Sequence, residues 1–212
     1  MITLTFDKNS KRLDPFKEVI EAKFKESVAK VQAKIPVDNV SVVMLDKPEH
    51  TILETGEGGY AYNAYNLEIY LNPDFPNFKE AVLGDNLERV LAHELHHCLR
   101  WADPGYGETL LEHIISEGLA DHFEVEVNGG KPGIWAVRLT PEQISEWLEK
   151  AKPLFSSKDF DRNAWMFGSA EKDMPKSIGY SLGFHLVGEY LKQHPTEKAS
   201  TLYNKKAEAF ML

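Results

Sequence analysis

Apolar and polar residues alternate strictly over residues 2–6, with Ile2, Leu4 and Phe6 on one side and Thr3 and Thr5 on the other. That period of two predicts a half-buried strand. Over 13–35 the period lengthens: Leu13, Phe16, Ile20, Phe24, Val28, Val31 and Ile35 recur in steps of three or four, the stripe of an amphipathic helix. Asp14-Pro15 stands at its start, where proline is tolerated, and Pro36 follows its end. The β-branched run at 40–45 predicts a second strand. Gly56-Glu57-Gly58-Gly59 reads as a flexible turn or loop. Leu67, Ile69 and Leu71 then alternate with Asn66, Glu68 and Tyr70, a third strand ending at Asn72-Pro73. Residues 74–84, with Pro76 and Gly84, read as loop.

From Asp85 the pattern turns helical. Asp85 with Glu88 resembles a capping box, and Leu87, Val90, Leu91, Leu95 and Leu99 continue an apolar face to about Trp101. Asp103-Pro104-Gly105 stops this helix, and a second runs from about Glu108 to Val127. Thr140-Pro141-Glu142-Gln143 opens a third with a complete start signal. Residues 152–176 are irregular and aromatic, and two more helices are predicted at about 177–194 and 197–211. Strands come first and helices follow, which predicts an α+β fold. With no repeat, low-complexity tract or linker, 1–212 reads as one domain.

Composition narrows the possibilities. At 42% apolar and 27% charged the chain can bury a core, so general disorder is excluded. With 24 basic against 33 acidic residues it carries −9 and no basic stripe, so nucleic acid is not an expected partner. Its one cysteine, Cys98, rules out an internal disulfide. Asp7 and Lys8 interrupt the N-terminus before a signal-peptide core could form. The longest stretch without Asp, Glu, Lys or Arg, Ser177 to Gly188, falls short of the roughly 20 residues of a membrane span. These features predict a soluble, cytoplasmic protein without a membrane span.

The chemistry concentrates in Leu91-Ala92-His93-Glu94-Leu95-His96-His97-Cys98. His93 and His97 are four apart on a predicted helix, so both imidazoles lie on one face and can bind one ion. Glu94 follows the first of them and can reach a water on that ion, the arrangement of metal-assisted hydrolysis. An HExxH arises by accident about 0.03 times in such a chain, and Leu91, Leu95 and Leu99 make this a core-facing helix rather than an exposed His-rich turn. A catalytic zinc needs a third protein ligand. Glu117, twenty residues past His97 on the next predicted helix, is the favoured one, with Asp121 a turn beyond it to orient a ligand imidazole. An acidic surface helix is the competing explanation, since Glu112, Glu124 and Glu126 are close. Asp103 is the runner-up third ligand, but Arg100 stands where that geometry needs glycine. His96 offers an i,i+3 pair with His93, Cys98 reads as a small packed residue, and His113 and His122 read as polar or packing residues.

HELHH with EGLAD downstream resembles the gluzincin group of zinc metallopeptidases. The resemblance implies His93, His97 and Glu117 as zinc ligands, Glu94 as general base and proton shuttle, Asp121 behind the ligands, and one zinc ion per chain. Over more of the chain, GEGGYAYNAYNLEIYLNP, LAHELHHCLRW, ISEGLADHF, NAWMFG and MPKSIGYSLGFHLVGEYL, in this order, resemble a family of small predicted zinc-dependent proteases. That implies residues 56–212 as the catalytic core and leaves 1–55 less distinctive. In zincins an edge strand before the active-site helix pairs with the substrate backbone, and residues 66–71 match that place. Tyr180, between Gly179 and Gly183, could donate to the oxyanion, a part His185 could also play; a core aromatic is the alternative.

The expectation is a single-domain, zincin-like α+β metallohydrolase acting on a peptide or protein. Two alternatives remain. One is a non-catalytic zinc protein, an interaction or stress-response module that would fill the fourth ligand position from His96, Cys98 or His122. The other is a hydrolase of non-peptide amides or esters. Glu94, which a purely structural site does not need, favours the enzyme.

Overall fold

The computed structural model describes residues 1–211. The fold is α+β, a four-stranded mixed sheet followed by a mostly helical half. The chain divides into two compact units, Met1–Ala102 with Val127–Gly129, and Asp103–Glu126 with Gly130–Leu212. No helix among the described residues is long and apolar enough to cross a membrane.

The first unit contains β1 (Thr3–Phe6), α1 (Lys17–Gln32), β2 (Ser41–Asp46), β3 (Glu57–Asn63), β4 (Asn66–Leu71), α2 (Phe78–Ala81) and α3 (Leu87–Ala102). The stripe that starts at Leu13 opens as a 3-10 turn, Lys11–Phe16, with Pro15 inside it. Proline has no N–H for the α-helical ladder, so α1 begins only beyond it. Strand order is β1-β2-β4-β3; β1/β2 and β2/β4 are parallel and β3/β4 antiparallel. One face carries Val42, Met44, Leu67 and Ile69, all buried, and α3 packs on β3 and β4. The other face presents Thr3, Thr5, Tyr60 and Tyr62 to solvent. α1 is tied to α3 through the buried Glu88, which accepts from Lys30 Nζ at 2.7 Å and Lys23 Nζ at 3.2 Å.

Two strand expectations are corrected. The glycine-rich stretch read as a loop is instead the start of β3, because its backbone pairs residue by residue with β4. The 66–71 strand is not at the edge: β4 is hydrogen-bonded on both sides, and the hairpin turn at Ala64-Tyr65 folds β3 back along its outside. Asn63 Oδ1 stabilises that turn, accepting from Tyr65 N at 2.8 Å and Asn66 Nδ2 at 3.1 Å. Residues 74–84, also read as loop, contain α2 and the start of a π-helical turn, Val82–Asn86. Gly84 leaves helical geometry there, at ψ −114°. Asp85 therefore lies inside the turn rather than capping α3, which starts at Leu87.

The second unit holds α4 (Leu110–Asn128, its last residues grouping with the first unit), α5 (Pro141–Ala151), α6 (Arg162–Phe167) and α7 (Ile178–Gln193). α4 stops at Gly129, whose φ of +66° glycine adopts without strain. The capping box at Thr140 is present, with Gln143 reciprocating. The core joins Ile114, Leu119, Trp147, Trp165, Leu182 and Leu186 among others. α6 falls within the stretch read as irregular. The helix predicted at 197–211 is absent; short 3-10 turns, Ala199–Thr201 and Ala207–Phe210, take its place. Ser200 explains part of this, because its N–H and Oγ are held by the Glu126 carboxylate at 3.0 and 2.8 Å. At one place α4 and α7 meet backbone to backbone: a Cβ on Gly118 would lie 2.2 Å from the carbonyl of Gly183.

Candidate metal centre

α3 carries a candidate pair of histidine ligands. Leu87, Leu91 and Leu95 are fully buried and fix the rotation of the helix. His93 and His97 then sit beside that stripe, themselves buried at 7% and 4% exposure, which removes the reading of a solvated histidine turn. Their Nε2 atoms face each other at 3.0 Å, with ring centroids 4.6 Å apart and planes at 84°. Two nitrogen ligands of a tetrahedral zinc, each about 2.0–2.1 Å from the ion, lie about 3.3 Å apart. The pair is therefore already near ligand spacing, and its donor chemistry fits zinc.

Glu94 is buried on the same helix and lies against β3. A Cβ at Gly59 would come within 2.5 Å of Glu94 Cγ and 2.8 Å of its Oε1, so only glycine leaves room for this carboxylate. The ladder also sets which way Gly59 faces along the sheet. Gly56 O accepts from Asn72 N across to the β4 side, whereas Glu57 O accepts from Ile52 N on the outer side. Antiparallel alternation turns the backbone groups of 57, 59 and 61 outward. Ala61 O accordingly accepts from Trp101 Nε1 at 3.3 Å, and Gly59 presents its N–H and C=O at the edge between these two fixed points.

α4 carries a row of buried carboxylates. Glu117, Asp121 and Glu124 fall at i, i+4 and i+7 and are all buried, at 3%, 0% and 0% exposure, so this is no solvated acidic face. Each carboxylate has a partner in its own unit. The Tyr106 hydroxyl donates to Glu117 Oε1. The Trp135 indole N–H donates to Asp121 Oδ1 at 2.8 Å, and Gly133 N–H donates to Glu124 Oε1 at 3.0 Å. Burial, and then the Glu117 charge, pushes the Tyr106 phenol well above its ordinary pKa, so it remains a donor. Neither Tyr106 nor Trp135 was signalled by the sequence: both lie in connecting segments where no period or motif marks them.

Among the described residues, the side chains that qualify as candidate metal ligands are His93, His97, Glu117, Asp121 and Glu124. Asp103 is exposed at the end of α3. His96 is wholly buried. Cys98 is buried too, and burial followed by the Glu94 charge raises its thiol pKa, as suits an inert packed residue. His113 packs edge-on between Tyr106 and Phe160. His122 stacks on Phe184 and donates from Nε2 to its carbonyl at 2.8 Å, with burial lowering its pKa. Tyr180 and His185 are half-buried on α7, and Tyr180 lies against the core of its own unit.

Among curated proteins, the chain is similar to the protein titled "Uncharacterized protein YjaZ" of Bacillus subtilis (strain 168), at 32% identity over 123 residues, 55% of this chain and 45% of that protein. It is also similar to "Uncharacterized protein YjfC" of the same organism, at 24% identity over 160 residues, covering 69% and 52%. The chain thus spans about half the length of these curated relatives (45% and 52%). No solved structure matches it. The sequence profile of a family described as "Predicted Zn-dependent protease (DUF2268)" matches residues 16–212, nearly the whole chain, and to that family the chain belongs.

Proposed function

We propose that the chain is a zinc-dependent peptidase holding one zinc ion with His93, His97 and Glu117. The histidine pair carries this reading: two buried imidazoles with their ligand nitrogens 3.0 Å apart, on the helix that also presents Glu94. Bound zinc supplies a Lewis acid that brings the pKa of water to roughly 7. Glu94 takes a proton from the attacking water and passes it to the leaving nitrogen. The edge of β3 receives the substrate backbone as an added strand, with Gly59 as the pairing residue beside Glu94. Asp121, held by Trp135, is assigned the orienting of a ligand imidazole, and Tyr180 or His185 the donation to the oxyanion.

The test is zinc per chain by elemental analysis on wild type, His97→Ala and Glu117→Ala, purified alike without chelator. One zinc in wild type and clearly less in both variants is the expected result. No zinc in reconstituted wild type overturns the metal reading, and full retention by Glu117→Ala removes that residue from the ligand set. A second expectation concerns Gly59→Ala. The added methyl displaces the Glu94 carboxylate, and a shift of about 1 Å in a reacting group costs about 10²-fold in rate. Zinc content should stay at the wild-type level while hydrolysis of a peptide panel falls; unchanged turnover would mean that Glu94 does not work from this position.

A further inference from the structure

We infer that Tyr106 is the positioning residue for Glu117, setting zinc affinity by holding one oxygen of its carboxylate in place. This rests on the reading of Glu117 as a ligand. Tyr106 belongs to the short connection between α3 and α4, yet it is buried at 6% exposure, unusual for a loop residue. Two neighbouring side chains of α4 hold it at both ends. Ser116 Oγ donates to the Tyr106 carbonyl at 2.7 Å, and the Tyr106 hydroxyl donates to Glu117 Oε1. The ring is also fixed from the sides. His113 meets it edge-on at 5.0 Å between centroids, and the Arg162 guanidinium stands 5.8 Å from its centroid. Arg162 Nη2 lies 3.5 Å from the phenol oxygen, so a fixed positive charge stands behind the donating O–H.

The consequence for Glu117 is chemical as well as geometric. A long carboxylate side chain normally loses rotamer freedom when it binds an ion, and a ligand already held has less to lose. A donor on Oε1 restricts rotation of the carboxylate and so holds it ready for the ion. Partners of metal ligands of this kind are typically worth 10- to 100-fold in affinity.

The experiment is a competition titration with a chromophoric zinc chelator on the full chain, for wild type, Tyr106→Phe, Glu117→Ala and the double variant. Melting of the zinc-free proteins is followed alongside. Tyr106→Phe should bind zinc 10- to 100-fold more weakly, while its zinc-free form still melts cooperatively, if at a lower temperature, since phenylalanine fills the same volume but leaves the buried Glu117 without this donor. In the Glu117→Ala background the same change should alter affinity less than twofold, because its partner is gone. An equal loss in both backgrounds would make the effect one of packing and overturn the inference. So would wild-type affinity in Tyr106→Phe, provided Glu117→Ala binds weakly. Wild-type affinity in Glu117→Ala would instead remove Glu117 as a ligand, and the role of Tyr106 with it. Should Tyr106→Phe fold poorly, Arg162→Gln gives the same readout through the phenol, with a smaller expected loss.

Discussion

Glu94→Gln is expected to keep its zinc and to lose hydrolysis of a peptide substrate by about 10²- to 10⁴-fold. Glutamine matches glutamate in shape, so it fits the space that Gly59 leaves at 2.5 Å from Glu94 Cγ. The histidine pair on either side of it in the sequence is untouched, which is why metal content should not move. What changes is one property: an amide cannot accept the proton of the attacking water. The comparison needs zinc analysis and initial rates on one panel of unstructured peptides, wild type beside variant. Activity within threefold of wild type, at equal zinc, would transfer the base function to another residue. Zinc loss in the variant would show instead that Glu94 supports the ligands.

The largest expected effect on stability is at the crossing of α4 and α7. Replacing glycine by alanine inside a helix ordinarily gains about 1 kcal/mol. At Gly118 the sign should reverse. The new Cβ would lie 2.2 Å from both the carbonyl carbon and oxygen of Gly183, and a Cβ at Gly183 would lie 2.1 Å from Ile114 O. These are backbone atoms of packed helices, so relief requires the helices to separate. Overpacking costs up to about 3 kcal/mol, leaving Gly118→Ala destabilised by about 2 kcal/mol and its Tm lowered by roughly 4–8 °C. Denaturant and thermal unfolding of zinc-free protein would measure it. A Tm at or above wild type would mean that the helices stand further apart than described.

The parts of this molecule that bury a periodic stripe were open to reading in advance. Leu87, Leu91 and Leu95 fix the face of α3 that puts His93 and His97 side by side, and the Thr140 box marks the start of α5. β3 was hidden because its stability comes from pairing with β4, and its glycines, normally loop residues, make room for neighbours, Gly58 for the His50 carbonyl and Gly59 for Glu94. The same limit hid Tyr106 and Trp135, whose roles depend on carboxylates of α4 that they approach from connecting segments. At 197–211 local helical promise lost to a distant partner, Glu126, which claims Ser200. In each case the missing information was a contact with another segment of the chain, which no local pattern marks.

The edge of β3 also bears on how the molecule behaves in a crowd. An open strand edge is a standing invitation to pair with the edge of another copy and precipitate. Here the invitation is narrow. Ile52 N–H occupies the outward carbonyl at Glu57, Trp101 occupies the one at Ala61, and the register breaks between Ala61 and Asn63. Two such edges can share only a short ladder, and each copy brings a net charge of −9 to the encounter. The extended peptide proposed as substrate would need only a short ladder beside Gly59, which suits this edge better to such a strand than to a second copy of the molecule.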